Sequence, residues 1–291
     1  MWPDVRYDDE AIAIKRKINY DHAMQSAFSL VELSIVLVIL GLLTGGIIGG
    51  QSLIRSAELR SVATEYADLI SVTQGFRDKY MALPGDMRNA TSFWGLERVG
   101  GGAQQATCVN NAGAAYASTE NYATGACDGN GDGRISHTNV QGADEMSQFW
   151  QHLYMAGLKP QASFDGTGGG NNNAGPSLRA KITRGYWSVT YNPSPTGGTG
   201  LYLDTGSPEG QIIYLGAPQG GMQPQTQPVM TPAEAWNLDV KMDDGIARQG
   251  KMQSTANGGG APVAWNLCRS GANYPLDRTD KICSVFWANS F

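Results

Sequence analysis

The sequence predicts an α+β fold, with a long N-terminal α-helix packed on a C-terminal globular head that contains an antiparallel β-sheet. Three observations support this prediction. An apolar run extends from Phe28 to Gly50 and holds a single acid, Glu32. Apolar side chains then recur with helical spacing from Leu59 to Tyr80. Short segments rich in Ile, Val, Tyr and Trp follow residue 180, separated by Gly and Pro, and this pattern is typical of strands.

The apolar run is long enough to cross a bilayer, because residues 28–50 would form a helix of roughly 35 Å at about 1.5 Å per residue. Lys15, Arg16 and Lys17 precede the run, and basic residues there favour a cytoplasmic N-terminus. The alternative is an ordinary secretory signal peptide, which ends in a small-x-small cleavage site. The residues after Leu43 form no convincing site of that kind, so we expect a membrane-spanning helix.

The start of this run resembles the N-terminal motif of type IV pilins and of the pseudopilins of type II secretion. In that family a prepilin peptidase cuts just before a Phe, and a Glu stands at the fifth position of the mature chain. Phe28 and Glu32 match these positions, whereas Ala27 replaces the Gly that usually ends the leader. The resemblance implies cleavage between Ala27 and Phe28, followed by methylation of the new N-terminus.

The resemblance also implies an assembly role for Glu32. A lone acid in an apolar membrane segment is costly, and in the family this Glu pairs with the N-terminal amine of a neighbouring subunit. Such pairing offsets part of the desolvation cost of both charges inside a helical bundle. The alternative is that Glu32, near one end of the run, extends its carboxylate to the membrane interface.

The same resemblance divides the chain into four parts. The predicted boundaries are a leader at 1–27, a transmembrane and filament-core segment at 28–50, an exposed helical segment at 51–82 and a periplasmic or extracellular head at 83–291. Met1 and Met24 are both open as start positions. Before assembly the chain would cross the inner membrane once with a cytoplasmic N-terminus, and afterwards it would stand in a periplasmic or cell-surface filament.

The exposed helical segment carries an apolar stripe on one face, which in the family packs against the subunit's own sheet. The pair Pro84-Gly85 is a strong helix breaker and predicts that the helix ends before it. The stripe consists of Leu59, Val62, Tyr66, Leu69, Phe76 and Tyr80.

A loop that begins at Asp128 has the spacing of a calcium-binding loop. Oxygen-bearing side chains at positions one, three and five, a Gly at six and an apolar residue at eight match the first half of an EF-hand-type loop. Asn139 replaces the usual Glu at position twelve, and Asp144 or Glu145 would supply the missing carboxylate. The alternative is an Asx-rich turn whose acids stabilise a helix N-terminus. The predicted Ca²⁺ ligands are Asp128, Asn130, Asp132, the backbone carbonyl of Arg134, and Glu145.

Downstream of this loop the sequence predicts two helices and a set of strands. Residues 143–158 form one amphipathic helix, and residues 231–234 (Thr-Pro-Ala-Glu) have the form of a capping box that starts another. Asp239, Asp243 and Asp244 either form a second calcium site or lie in a solvated turn, which is the interpretation that we favour. The predicted strands are 180–191, 201–204, 211–215, 263–268 and 282–287.

The cysteines fall into two close pairs, Cys108 with Cys127 and Cys268 with Cys283. Four cysteines allow three connectivities, and the sequence does not choose among them. Local disulfides in an oxidising compartment are our prediction, since a membrane-crossing segment lies upstream. Each would close a loop of roughly 15–20 residues and contribute about 3 kcal/mol. The alternative is that the thiols are free and buried.

Composition and charge argue against several functional classes. The net charge of −5 opposes broad nucleic-acid binding, which needs clustered Lys and Arg. The Gly-Gly-Gly runs lack the Lys-Ser/Thr of a phosphate-binding loop. The three histidines form no recognisable triad or zinc set, and we expect His152 to be structural. The sequence therefore predicts no enzyme and no catalytic residue.

These features together favour a structural subunit of a type IV pilus-like filament, assembled through its N-terminal helix. The large head is typical of a minor or specialised pilin. The partners that the resemblance implies are copies of the chain itself, other pilin subunits, the prepilin peptidase, an inner-membrane assembly platform and the membrane. The alternatives are a pseudopilin of a type II secretion system and a membrane-anchored periplasmic binding protein or enzyme.

Overall fold

The computed structural model describes residues 29–95, 98–99, 103–104, 126–137, 145–159, 177–193, 208–218, 224–255 and 267–291. The chain divides into two units, residues 1–54 and residues 55–291. The predicted processing residues, Ala27 and Phe28, lie outside the described residues, as do Cys108, Asn139 and Asp144.

The first unit contains the start of helix α1, which spans Leu30–Tyr80. The large apolar side chains between Leu30 and Leu43 are all at least half exposed. Among the described residues, α1 is the one helix that is long and apolar enough to cross a membrane. The predicted membrane-length helix is therefore present, by length and composition.

In the second unit, α1 packs along one side of the head. Val62, Leu69 and Phe76 recur every seven residues and are fully buried, as the predicted stripe requires. α1 ends at Tyr80, and Met81 has a φ of 54°, so the chain leaves the helix through a left-handed residue. The prediction that the helix ends before Pro84 is confirmed.

The head contains a five-stranded sheet in which every neighbouring pair of strands is antiparallel. The spatial order is β3-β4-β5-β7-β6. A separate two-stranded ribbon pairs β1 with β2. This layout confirms the predicted α+β class with an antiparallel sheet. The strands are β1 Arg98–Val99, β2 Ala103–Gln104, β3 Leu178–Arg179, β4 Tyr186–Asn192, β5 Gly210–Gly216, β6 Met252–Thr255 and β7 Ser284–Ala288.

One face of the sheet packs on α1. Tyr66 of the helix stacks on Trp287 of β7, with ring centroids 4.8 Å apart. The indole nitrogen of Trp187 on β4 donates to Glu65 of the helix at 2.8 Å. Residues of the opposite face form a second buried apolar cluster, which includes Tyr214 and Phe286. The sheet is therefore buried on both faces.

Three shorter helices complete the described part of the head: α2 (Ala90–Trp94), α3 (Glu145–Met155) and α4 (Pro232–Met242). The predicted capping box at the start of α4 is confirmed. The backbone N–H of Glu234 donates to Thr231 Oγ1 at 3.2 Å, and the backbone N–H of Thr231 donates to Glu234 Oε2 at 2.9 Å. The cap fixes the start of α4 beside α1.

The strand predictions succeed for the central strands and fail at the edges. β5 and β7 lie where the sequence predicts them, within one or two residues. The strand predicted from residue 180 begins only at Tyr186, because residues 181–185 form a turn with Arg184 at a φ of 66°. β6 was not predicted. Residues 201–204 and 263–266 lie outside the described residues, and Cys268 lies in a turn.

The disulfide between Cys268 and Cys283 confirms one predicted local pair, with Cα atoms 5.0 Å apart and a sequence separation of 15. It joins the turn at Cys268 to the residue that precedes β7. Cys127 is buried and also disulfide-bonded.

Candidate functional site

The loop predicted to bind calcium lies between the end of α1 and the start of α3. Gly133, at the sixth position of the predicted motif, has a φ of +80°, a conformation that Gly adopts without steric cost. The loop turns sharply at this point, as the motif requires. Its backbone then runs beside β4, where Tyr191 donates its N–H to the carbonyl of Ile135 at 2.7 Å.

Three carboxylates meet at this loop. One oxygen from each of Asp86, Asp132 and Glu145 lies within 4.8 Å of the others. Asp132 and Glu145 were predicted as ligands, whereas Asp86 was not. Asp86 comes from the turn that follows α1, and Glu145 is the first residue of α3. The cluster therefore joins three separate segments of the head.

Two of these carboxylates hold the loop backbone in place. Asp86 accepts hydrogen bonds from the N–H groups of Asp132 at 3.0 Å and Gly133 at 2.8 Å. Glu145 accepts from the N–H groups of Asn130 at 2.9 Å and Ser136 at 2.8 Å. Each carboxylate oxygen has two lone pairs, so these oxygens keep capacity for a cation.

The other predicted ligands have different contacts in this structure. Both oxygens of Asp128 accept from Thr91 at the start of α2, from its N–H at 2.8 Å and from its hydroxyl at 2.9 Å. The side chain of Asn130 accepts from the N–H of Asp132 at 2.8 Å. The guanidinium of Arg134 lies 4.6 Å from the ring centroid of Tyr191. The structure thus brings together Asp132 and Glu145 of the predicted set.

The electrostatics of the cluster favour a bound cation or a proton. The pKa of Glu145 is raised to about 6, chiefly by burial and also by the neighbouring charges of Asp86 and Asp132, while hydrogen bonds from the loop backbone oppose the shift. Burial also raises the pKa of Asp86, although hydrogen bonds from the loop backbone oppose this shift. An all-oxygen, negatively charged donor set is the kind that hard divalent cations prefer.

A buried histidine fixes the two segments that carry the cluster. The Nδ1 atom of His152 accepts from the N–H of Gly85 at 2.9 Å. Nδ1 is therefore unprotonated, and Nε2 donates to the carbonyl of Cys127 at 2.9 Å. His152 is fully buried, and burial lowers its pKa to about 4. The expected structural role of His152 is confirmed.

Gly85 is required at its position for two reasons. Its φ of +86° is strained for other residues. A Cβ atom there would also lie 3.0 Å from the backbone nitrogen of Phe149 on α3. The close approach of the turn to α3 places Asp86 beside Glu145.

A second acidic cluster lies at the C-terminal end of α4. Asp239, Asp243 and Asp244 also have carboxylate oxygens within 4.8 Å of one another. Asp239 is fully buried and accepts from the hydroxyl of Tyr274 at 2.8 Å. Burial raises the pKa of Asp239 to about 6, with further contributions from Asp244 and Asp243. Asp243 and Asp244 are exposed; Asp244 accepts from the N–H of Ile246 in the following turn, and Asp243 accepts from the N–H of Met252 at the start of β6.

The predicted assembly residue Glu32 lies in the first turn of α1. Its Oε2 atom accepts from the N–H of Ser29 at 3.2 Å, and Ser29 Oγ accepts from the N–H of Val31 at 3.3 Å. These bonds cap the start of the helix, with Ser29 Oγ satisfying the second helical N–H and Glu32 satisfying the N–H of Ser29. The sequence analysis missed this local role, although the Ser-x-x-Glu spacing signals it.

No protein-family model, curated protein or solved structure matches this chain.

Proposed function

We propose that the chain is a structural subunit of a type IV pilus-like filament, cleaved before Phe28 and assembled through its N-terminal helix. One observation carries the proposal. A single helix, α1, contains both an exposed apolar segment with an acid at its start and an amphipathic segment that packs on a folded head. A minor or specialised pilin is the form of subunit that the large head favours.

The exposed apolar segment supports this proposal because its side chains must be shielded from water. Side chains from Leu30 to Leu43 expose far more apolar surface than a soluble protein leaves in water. A bilayer covers them before assembly, since the segment has the length of a membrane span. In a filament, the same segments of neighbouring subunits cover one another. The head keeps its own core in both states.

Glu32 has two separate roles in this proposal. Its carboxylate caps α1 within the subunit, and its charge takes part in assembly. The cap uses hydrogen-bond acceptance, which an amide oxygen also provides. The assembly role uses negative charge, which pairs with the N-terminal amine of a neighbouring subunit. The substitution Glu32→Gln separates these roles, because Gln retains the cap and removes the charge.

The test compares Glu32→Gln and Glu32→Leu with the control Ser34→Ala in the native host. Ser34 lies on the same helix, and its hydroxyl donates to the carbonyl of Val31 one turn earlier. We expect all three variants to reach the membrane in normal amount. We expect both Glu32 variants to be absent from the sheared filament fraction, whereas Ser34→Ala assembles normally.

Normal incorporation of Glu32→Gln into filaments would contradict the assembly role and leave the cap as the function of this residue. A filament that is found only in the periplasm would assign the chain to the pseudopilins of type II secretion. Loss of both Glu32 variants from the membrane, with Ser34→Ala retained there, would show that Glu32 acts in insertion or folding instead.

We further propose that the cluster of Asp86, Asp132 and Glu145 binds Ca²⁺ and stabilises the head. The support is the convergence of three carboxylates from separate segments and the penalty that burial places on the charge of Glu145. A cation bound only by the folded state stabilises it by an amount that rises with concentration, about 2.7 kcal/mol at 100 times Kd. Such a cation would hold the end of α1, the loop and α3 together.

A further inference from the structure

The head carries one sequence motif that neither the filament proposal nor the calcium proposal uses. Asn89-Ala90-Thr91 has the form Asn-x-Thr with x other than Pro, which is the acceptor motif for N-linked glycosylation. It is the only such Asn-x-Ser/Thr motif in the 291 residues, because the residue after Asn192 is Pro. Short motifs also arise by chance, so the structure around Asn89 decides whether a sugar can be attached there.

Asn89 is exposed and occupies the N-cap position of α2. Asn is among the residues that most often cap a helix, by accepting a backbone N–H with the side-chain oxygen. The side chain of Asn89 forms no such cap. Its amide group is therefore not used to hold the start of α2.

Asp128 binds the start of α2 in place of Asn89. Its Oδ1 atom accepts from the N–H of Thr91 at 2.8 Å, and its Oδ2 atom accepts from the hydroxyl of Thr91 at 2.9 Å. The fold thus gives the side chain of Asn89 no capping role. An acceptor site for a sugar explains why an exposed Asn stands two residues before a Thr.

The surface beside Asn89 is open enough for a bulky substituent. Its neighbours Arg88, Ser92 and Phe93 are all exposed. Ala90 is fully buried and belongs to the core, but the sugar would be attached to the side chain of Asn89. A hydrophilic glycan at Asn89 would therefore extend into solvent without displacing a core side chain.

The contacts of Thr91 indicate when the sugar must be attached. The motif requires a hydroxyl at its third position, and in the folded head that hydroxyl is bound to Asp128. Asp128 lies 37 residues after Thr91 in the chain, so a chain exported during synthesis presents the motif first. At about 5–20 residues per second, these 37 residues leave roughly 2–7 s for modification.

We propose that Asn89 is N-glycosylated on the outer side of the membrane, before Asp128 binds Thr91. The co-reactant is an oligosaccharide linked to a membrane lipid through pyrophosphate, and a membrane-bound oligosaccharyltransferase supplies the base. Asn89 Nδ2 forms a bond with the anomeric carbon of the sugar, and the bond from that carbon to the pyrophosphate oxygen breaks. The pyrophosphate leaves with the electron pair, and Nδ2 loses one proton to the base. This inference goes beyond the proposed function, since it requires only that the head lies outside the cytoplasm.

The test is mass spectrometry of the full-length protein purified from its native host. Trypsin cleaves after Arg88 and Arg98, so the peptide of residues 89–98 has Asn89 as its only asparagine. The peptide of residues 80–98 replaces it if the glycan blocks cleavage after Arg88, and it also has no other asparagine. We expect this peptide to be heavier by whole sugar residues. The peptide of residues 270–278 is the control, because its Asn273 is exposed but lies outside any acceptor motif.

Variants locate the sugar on the chain. Asn89→Gln keeps an amide but removes the motif, and Thr91→Val keeps the shape of the side chain without its hydroxyl. We expect both variants to lose the added mass completely. Thr91→Ser is the matched control, since it keeps the hydroxyl and should keep the added mass. Asp128→Ala should leave the modified fraction of the peptide unchanged, because transfer precedes the bond to Thr91.

Three results would overturn the inference. A wild-type peptide without added mass would show that the motif is not used. Added mass that persists in Asn89→Gln would place the sugar on another side chain. A severalfold larger modified fraction in Asp128→Ala would show that transfer acts on the folded head. Filaments built from unmodified subunits would refute this inference alone, whereas a modified peptide without filaments would support it and refute the proposed function.

Discussion

Replacing His152 with Gln is expected to change how the stability of the head depends on pH. His152 is fully buried, accepts from the N–H of Gly85 and donates to the carbonyl of Cys127. Its folded-state pKa of about 4 lies below the ordinary value of 6.5. Between these values the unfolded chain binds a proton that the folded chain does not, so stability falls as pH decreases from about 7 to 4.

The expected magnitude follows from the two pKa values of His152. Their difference corresponds to about 3 kcal/mol, at about 1.36 kcal/mol per pKa unit. Gln keeps a donor for the carbonyl of Cys127 and does not titrate. It leaves the N–H of Gly85 unpaired, which costs about 1–3 kcal/mol at neutral pH. The gap in stability between wild type and His152→Gln should therefore shrink by about 3 kcal/mol between pH 7 and pH 4.

The assay is urea unfolding of the detergent-solubilised full chain at a series of pH values. The comparison must be a difference between variants, because Glu145 and Asp239 act with the opposite sign. Their folded-state pKa values of about 6 are raised, so their contribution to stability increases as pH falls through 6. Met155→Leu, a conservative change on the same helix, serves as the control and should show a gap that does not vary with pH. A constant gap for His152→Gln would refute the assignment of His152 as a buried neutral anchor.

Three further predictions concern the head. Ca²⁺ should raise the melting temperature of the wild type and of Asp128→Asn but not of Asp132→Asn, and an equal response of both variants would contradict the proposed site. Cys283→Ser should lower the free energy of unfolding by about 3 kcal/mol, the value for a loop of about 15 residues, and an unchanged urea midpoint would show that the disulfide adds nothing. Glu234→Ala should cost about 2 kcal/mol, because it removes the bond from the Thr231 N–H to the Glu234 carboxylate, which is half of the capping box of α4, and the ion pair with Arg55. Glu234→Gln should cost less than half of this in the same assay, since it keeps the cap, and equal costs would assign the effect to the ion pair.

The parts of the fold that could be predicted are those with local signals. The stripe of α1 is visible because its buried residues, from Val62 to Phe76, recur at helical spacing over about four turns. The cap of α4 is visible because Thr231 and Glu234 are three residues apart and bind each other. β5 was predicted because the run from Ile212 to Leu215 is apolar and the strand is bounded by Gly at both ends.

The parts that could not be predicted depend on contacts between distant segments. Asp86 binds the loop backbone from a position 46 residues before Asp132, and no spacing rule connects the two. Asp128 fits the calcium motif by sequence, yet the N-terminus of α2 at Thr91 offers its carboxylate two donors. β6 has the sequence Met-Gln-Ser-Thr, which lacks an apolar alternation, and it becomes a strand by pairing with β7. These features therefore depend on pairing between distant strands and on which distant hydrogen-bond donors reach each carboxylate.

The most direct test of the proposed function is the N-terminus of the natively expressed protein, determined by intact mass and peptide sequencing. The account predicts a mature chain that begins at Phe28, with or without one methyl group. A retained leader would show that Ala27 blocks processing or that α1 serves only as an anchor. Cleavage after the apolar run would release the head as a soluble domain and contradict assembly through the N-terminal helix.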